Sequence, residues 1–227
     1  MHGGGATVEA YSRLVRELAD RYRVILPEQR GHGRTADADG PFSYDVMAQD
    51  TIAFMKAAGM RSAHFVGHSD GAIVGMLVAM SRPDLVKKFV SIGGNFDVDG
   101  YTEEELAFIH TASPEKLRQN PSFANVVETY RQVTPDGPEH FPIVYEKLIR
   151  MWRKEPKISP QNLSRIVAPT LVMAGDRDII TLEHTIELFR AIPRARLCIL
   201  PNSSHFVPIQ EPRLVARAIL DFLAHAR

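Results

Sequence analysis

A serine flanked by glycines, in Gly67-His68-Ser69-Asp70-Gly71, constrains the fold of this chain more than any other feature of its sequence. The pentapeptide follows the apolar run 63–66 and precedes small residues that predict a helix. A strand that turns sharply into a helix leaves no room for side chains two residues either side of the serine, which explains the glycines. The pattern predicts that Ser69 Oγ projects from a sheet as a nucleophile. A serine that only caps the helix is the alternative.

Apolar strands alternate with amphipathic helices along the chain, which is typical of a mostly parallel sheet with helices on both faces. The 227 residues, 44% of them hydrophobic, suffice for a single substantial core. The hydrophobic periodicity predicts helices at 7–21, 43–58, 182–191 and 212–224, and strands at 24–26, 63–66, 88–92, 170–174 and 196–200.

The segment 95–161 interrupts this alternation with short helical patterns separated by proline and glycine, at 103–110, 114–118, 122–133 and 140–154. An excursion between two strands of such a sheet lies over the carboxyl ends of the strands, where ligands bind. We therefore expect a core of residues 1–94 and 162–227 with a helical lid at 95–161. A separate interaction module is the alternative. Aromatic residues of the lid, Phe123 and Trp152 among them, are candidates to line an apolar pocket.

Further polar residues follow later strands of the predicted sheet. Asp176 and Asp178 come directly after the strand at 170–174, and His205 comes after the last strand. A serine is a poor nucleophile unless a base takes its proton and a third group orients that base. Because carboxyl ends of parallel strands meet at one edge, the order Ser69, Asp178, His205 predicts a catalytic triad for acyl transfer.

These motifs and their order resemble the α/β-hydrolases that carry a helical lid, and the resemblance extends over essentially the whole chain. It implies that Asp178 is the triad acid and that Asp176 is structural. Some relatives take the acid from the loop after the preceding strand, where Asp97 and Asp99 stand. In this family the lid is inserted after the sixth strand.

The start of the chain, His2-Gly3-Gly4-Gly5, resembles the oxyanion loop of that family. The resemblance implies that the backbone N–H groups of Gly4, or less readily Gly5, and of Asp70 stabilise the oxyanion. A flexible glycine-rich terminus is the alternative. The family has further strands before this loop, so the chain is expected to lack the first strands and to leave a strand edge unpaired.

Three explanations for the missing strands remain open: a truncated reading frame, an edge supplied by another chain as in a homo-oligomer, or an impaired protein. Truncation is our hypothesis. An intact mass of the native protein equal to that of the 227 residues would remove it.

Asp70 beside the nucleophile is similar to an aspartate in the valacyclovirase (biphenyl hydrolase-like) branch, within a broader likeness to carboxylesterases. That aspartate is associated with the amino group of aminoacyl esters, and the resemblance implies that Asp70 holds a substrate cation. Alternatively, Asp70 turns into the helix N-terminus, where the dipole favours its charge. His68 and Trp152 are the other candidate substrate-binding residues.

The sequence thus predicts a serine hydrolase that cleaves a small ester, including an aminoacyl ester. A C–C bond hydrolase, lactonase or perhydrolase on the same triad, and a non-catalytic binding protein, are the alternatives. Equal numbers of basic and acidic residues, 27 each, argue against a nucleic-acid partner. No metal or cofactor motif and no membrane segment is recognised. One cysteine, Cys198, and no signal peptide favour the cytoplasm.

Overall fold

The computed structural model of the protein describes residues 1–119 and 124–225. Within these residues the chain forms a four-stranded parallel sheet in the order β1-β2-β3-β4. The strands are Ala63–His68, Val86–Ile92, Thr170–Arg177 and Ala195–Ser204. The α-helices are α1 Ser12–Ala19, α2 Tyr44–Ala57, α3 Asp70–Ser81, α4 Glu103–Thr111, α5 Pro114–Gln119, α6 Ala124–Val133, α7 Phe141–Trp152, α8 Pro160–Leu163, α9 Leu182–Ala191, α10 Val207–Gln210 and α11 Pro212–Ala224.

Helices cover both faces of the sheet, as the alternation predicts. Successive residues of a strand point to opposite faces, and the core divides accordingly. Val90 and Leu171 pack with α1 and α11 on one face. Phe89, the residue next to Val90, packs with α3 on the other. The parallel sheet predicted from the sequence is therefore the one observed, and its strand ends meet at one edge.

Most predicted elements are observed with small changes at their ends. The helices predicted at 182–191 and 212–224 match α9 and α11. The helix predicted at 7–21 is a 3₁₀ turn, Val8–Tyr11, followed by α1. The helix predicted at 122–133 is observed from Ala124. Ser122 and Phe123 lie outside the described residues.

The strand predicted at 24–26 is wrong, since this segment has no strand structure. It faces β1 across a cavity of about 430 Å³ whose lining is largely apolar and includes Leu26, Phe54 and Phe65. A strand exists only with a hydrogen-bonded neighbour, and the segment has none here. The unpaired edge expected from the sequence lies along β1. Among the described residues, only Met1 pairs with this edge: its amino group donates to Val66 O, and its carbonyl accepts from His68 N–H at 3.2 Å.

The helical segment predicted at 95–161 leaves and rejoins the core at a narrow neck. Ile158 N–H donates to Phe96 O at 2.7 Å, and Asp97 pairs with Lys157 in an antiparallel bridge. The helices α4 to α7 lie between these points. The division into core and lid stays a prediction. No helix in residues 1–119 and 124–225 is both long and apolar enough to cross a membrane.

Candidate active site

Ser69 occupies a strained turn between β1 and α3. Its φ of 54° lies in the left-handed region, which non-glycine residues rarely adopt. A Cβ on Gly67 would collide with the backbone of Gly71, and a Cβ on Gly71 would collide with the backbone of Met1 and His2, so both flanking positions need glycine. The turn is held by Ser69 N–H, which donates to Ile92 O at 2.9 Å. The sequence motif therefore has the strand-turn-helix geometry that a nucleophilic serine needs.

His205 and Asp178 form a buried hydrogen-bonded pair. His205 Nδ1 donates to Asp178 Oδ1 at 2.6 Å, and Ile180 N–H donates to the same oxygen at 3.1 Å. This bond commits Nδ1 and leaves His205 Nε2 as the nitrogen available to a nucleophile. Both side chains are almost fully buried. Asp178 therefore fixes the tautomer and the orientation of the imidazole.

Each member of this pair stabilises the charged form of the other. Burial opposes ionisation of Asp178, but the imidazole of His205 outweighs it and holds the pKa of Asp178 below its ordinary value. Burial likewise opposes protonation of His205, yet the carboxylate of Asp178 and its hydrogen bond raise the pKa of His205 above its ordinary value. His205 is thus a stronger base than a free imidazole.

Gly93 brings the pair close to Ser69. It follows β2, has a φ of +57°, and donates its N–H to Met173 O. A Cβ at this position would lie 2.9 Å from Cε1 and Nδ1 of His205. Ile92 accepts from Ser69 N–H and the next residue, Gly93, lies against the ring of His205, so the serine turn and the histidine ring both contact the end of β2.

The alternative carboxylates lie elsewhere. Asp176 Oδ1 accepts from Ser203 N–H at 3.0 Å and braces the loop before His205. Asp97 accepts from Asp99 N–H and caps a 3₁₀ turn, and Asp99 is exposed. Among these candidates only Asp178 is hydrogen-bonded to His205.

The glycine loop 3–5 lies against the serine turn. A Cβ on Gly3 would lie 3.1 Å from Ser69 Cβ, and one on Gly4 would collide with Asp70 Oδ2 and Trp152. Gly3 N–H donates to Tyr11 Oη at 3.0 Å and Gly5 N–H to His32 Nε2 at 2.9 Å. Among the described residues, Gly4 N–H and Asp70 N–H have no hydrogen-bond partner. The N–H groups of the two predicted oxyanion donors are thus unpaired, and the two residues contact each other.

The neighbouring side chains hold this loop by its carbonyl groups as well. Tyr145 O–H donates to Gly5 O at 2.9 Å, and His2 Nδ1 donates to Gly3 O at 2.8 Å. His2 Nε2 accepts from Gln29 N–H, so its ring has a single proton. The glycine loop is therefore ordered by side chains and is not a flexible terminus.

Asp70 is a buried carboxylate whose partners are neutral. Its Oδ1 accepts from Tyr44 O–H at 2.8 Å, and its Oδ2 accepts from Trp152 Nε1 at 3.0 Å. Burial raises the pKa of Asp70, and these two hydrogen bonds oppose that rise. No Lys or Arg side chain of the described residues forms an ion pair with it. Asp70 faces helix α7 of the predicted lid as well as the N-terminus of α3.

His68 does not fit the substrate-binding role predicted for it. The residue is buried, its Nε2 donates to His205 O at 2.8 Å, and its Nδ1 accepts from Tyr11 O–H at 2.7 Å. Both ring nitrogens are therefore occupied by protein groups. The sequence pattern places His68 beside the nucleophile but cannot show which way the ring points.

The hydroxyl contacts of three tyrosines at the site were not predicted: Tyr11, Tyr44 and Tyr145, of which only Tyr145 was a candidate, as one of the lid aromatics that could line a pocket. Their hydroxyl groups contact His68, Asp70 and the glycine loop across large sequence separations. No motif marks them, although an aromatic residue in a polar neighbourhood is the expected signal for a buried hydroxyl that needs a partner.

Comparisons with known proteins identify the family of this chain. The model of the alpha/beta hydrolase family matches residues 1–218. A protein named as a carbamate hydrolase, RutD, from Azorhizobium caulinodans is 28% identical, over 97% of this chain and 87% of its own length.

Two solved structures have the same fold. A meta-cleavage product hydrolase from Pseudomonas fluorescens superposes with a TM-score of 0.83 at 23% identity, covering 100% of this chain and 89% of its own. An enol-lactonase from Burkholderia xenovorans superposes with a TM-score of 0.79 at 19% identity, covering 99% and 89%. With the family match over nearly the whole sequence, these findings establish that the chain is a hydrolytic enzyme of the alpha/beta hydrolase family.

Proposed function

We propose that this enzyme cleaves small carboxylic esters through an acyl-enzyme, and that its preferred acyl group carries a cationic amino group. The observation that carries the proposal is the buried Asp178–His205 pair beside a strained Ser69. This arrangement supplies a base, the group that orients it and a serine raised from the sheet, as nucleophilic catalysis requires.

In the first half-reaction, Ser69 Oγ attacks the ester carbonyl while His205 Nε2 takes the hydroxyl proton. The negative charge that develops on the carbonyl oxygen meets the N–H groups of Gly4 and Asp70. His205 then gives its proton to the leaving alkoxide, and the C–O bond breaks. Water repeats the sequence on the acyl-enzyme and releases the acid.

The environment of Asp70 is our reason for proposing a substrate with a cationic group. A buried carboxylate stabilised only by neutral donors lacks a compensating charge, and it opposes the nearby oxyanion. An ammonium group placed next to the Asp70 carboxylate would supply the missing charge and lower the pKa of Asp70 again. The similarity of the Ser69-Asp70 pair to the valacyclovirase branch points the same way. Trp152 donates to Asp70, and we propose that it contacts the same substrate group.

Carbamate hydrolysis is the second candidate, because the relative from Azorhizobium caulinodans is named for that activity. The same triad can attack a carbamate ester, since its carbonyl group is also an acyl centre. An anionic carbamate would be repelled by the charge of Asp70. Lactones and C–C bonds of diketones are further substrates for the same nucleophile.

Covalent labelling tests the nucleophile. Purified protein is treated with a fluorophosphonate probe, and the modified residue is identified by peptide mass spectrometry. We expect modification of Ser69 and none in Ser69→Ala. Folded protein in which Ser69 stays unmodified would contradict the enzyme assignment and favour a non-catalytic binding role.

Paired substrates test the cation. For p-nitrophenyl esters of an α-amino acid and of the same acid without its amino group, we expect the wild-type kcat/KM to favour the amino ester. Asp70→Asn keeps the size of the side chain and removes its charge, so the preference should fall about tenfold or more. Asp99→Asn, an exposed aspartate, is the control. An unchanged preference in Asp70→Asn would refute the cation site.

We further propose a cytoplasmic enzyme that needs no cofactor, with small molecules as partners. The single cysteine, Cys198, excludes an internal disulfide, which favours a reducing compartment.

A further inference from the structure

A continuous chain of hydrogen bonds joins the glycine loop to the backbone of the catalytic histidine. Gly3 N–H donates to Tyr11 Oη at 3.0 Å, and Tyr11 Oη lies 2.7 Å from His68 Nδ1. His68 Nε2 lies 2.8 Å from His205 O. Tyr11 and His68 are both buried. We call these four residues the Tyr11–His68 bridge.

The direction of every bond in the bridge is fixed by chemistry. The carbonyl oxygen of His205 can only accept, so His68 Nε2 holds the proton. A neutral imidazole then leaves Nδ1 as an acceptor, and this nitrogen accepts a hydrogen bond from Tyr11 O–H. The Tyr11 oxygen in turn accepts from Gly3 N–H. The bridge therefore has one consistent arrangement of protons.

Both side chains stay neutral through the ordinary pH range. Burial is the main cause that lowers the pKa of His68 to about 3, and the nearby charge of His205 adds to it. Burial raises the pKa of Tyr11 well above its ordinary value. Neither group is therefore charged at neutral pH, and the geometry of the bridge favours a role in positioning.

The two ends of the bridge belong to parts of the site that must keep a fixed separation. One end holds the amide next to Gly4, whose N–H is a proposed oxyanion donor. The other holds the main chain of His205, the proposed base. His68 itself precedes Ser69 and lies at the end of β1. Its ring lies 4.9 Å from the ring of His205, between centroids.

We infer that Tyr11 and His68 are positioning residues that hold the oxyanion loop and the proposed catalytic histidine at a fixed separation around Ser69. The inference rests on the proposed function, since this separation matters only if both ends take part in one reaction. A misplaced oxyanion donor weakens transition-state binding more than substrate binding. Breaking the bridge should therefore lower kcat and leave KM nearly unchanged.

Single substitutions break the bridge at chosen bonds. Tyr11→Phe removes the hydroxyl and both of its bonds. His68→Gln places an amide nitrogen near the position of Nε2, which keeps the bond to His205 O but removes the acceptor for Tyr11. His68→Asn places an oxygen near the position of Nδ1, which keeps the bond from Tyr11 but removes the donor to His205 O. Tyr130→Phe, in the predicted lid, is the matched control.

We expect Tyr11→Phe to lower kcat about tenfold with little change in KM, as lost alignment of one or two hydrogen bonds would. Tyr11→Phe should cost little more in the His68→Gln background, where its partner is already gone, and its full effect should remain in the His68→Asn background. A boronic acid forms a tetrahedral adduct on Ser69, and its inhibition constant should rise by the same factor by which kcat/KM falls. A role confined to stability would leave the inhibition constant of the folded variant unchanged.

The inference is overturned if kcat of Tyr11→Phe equals that of Tyr130→Phe, or if Tyr11→Phe and His68→Gln are additive. Should Tyr11→Phe not accumulate as folded protein, His68→Gln breaks the same bond from its other side, and its kcat decides in the same way. Fluorophosphonate labelling separates the two proposals. If wild-type Ser69 is not labelled, the proposed function fails; if it is labelled and the variants match the control, only the bridge fails.

Discussion

The two sides of the site are held in place by different means. Asp178, His205 and Gly93 follow three adjacent strands whose backbones are joined by hydrogen bonds, with Ile92 beside Met173 and Arg177 beside Ser204. The glycine loop has no such ladder beyond Met1. It is held by the side chains of Tyr11, His32 and Tyr145. The base side is thus positioned by the sheet, and the oxyanion side by individual hydrogen bonds.

This difference predicts unequal effects of mutation. A substitution on the base side acts on a group that its strand already holds in place. A loss of activity there therefore reflects the loss of that group's role in the reaction. On the oxyanion side several bonds share the task, and removing one leaves the others in place.

The largest effect should come from Asp178→Asn. An amide that donates toward His205 Nδ1 would favour the tautomer with its proton on Nε2, which cannot accept from Ser69. We expect kcat to fall on the order of 10⁴-fold. Steady-state kinetics on a p-nitrophenyl ester measure this, with Asp176→Asn as the control for a neighbouring carboxylate. A fall of less than about tenfold would show that Asp178 is not the acid of the triad.

A large effect is also expected from Gly93→Ala, because the new Cβ would lie within 2.9 Å of the His205 ring. Displacing a catalytic group by about 1 Å can cost about 10²-fold in rate. Gly59→Ala is a matched control, since Gly59 has a similar φ of +65° and no heavy atom within 4 Å of its Cβ position. Both variants share the backbone strain, so equal activities after correction for folded fraction would refute the contact with His205.

These two sides also differ in how far the sequence predicts them. Asp178 and His205 can be recognised because each follows an apolar strand, and chain order brings strand ends together. Tyr11 and Tyr145 cannot, because their contacts depend on how helices pack and not on any local pattern. The strand predicted at 24–26 fails for a related reason, since a strand needs a neighbour that local periodicity does not reveal.

A smaller effect should follow Tyr145→Phe, on the oxyanion side. It removes the donor to Gly5 O, whereas His32 still accepts from Gly5 N–H and the ring still packs on Phe141. We expect kcat to fall about threefold, with KM nearly unchanged, as one shared hydrogen bond is lost. A loss as large as that of Gly93→Ala would mean that the loop depends on this single bond and is not held cooperatively.

The smallest effect should be a shift in the acid limb of activity caused by Glu105→Gln. Burial opposes the charge on His205, while Asp178, Glu105 and Asp70 raise its pKa, so His205 is protonated and inactive as base over a wider acid range. Removing the charge of Glu105 lowers the pKa of His205 and should move the acid limb of kcat/KM to lower pH, by less than any loss of Asp178 would. The exposed neighbour Glu104→Gln is the control, and its limb should not move. An acid limb that stays in place in Glu105→Gln would mean that the charge of Glu105 does not act on the base, and a limb displaced to higher pH would contradict the predicted sign.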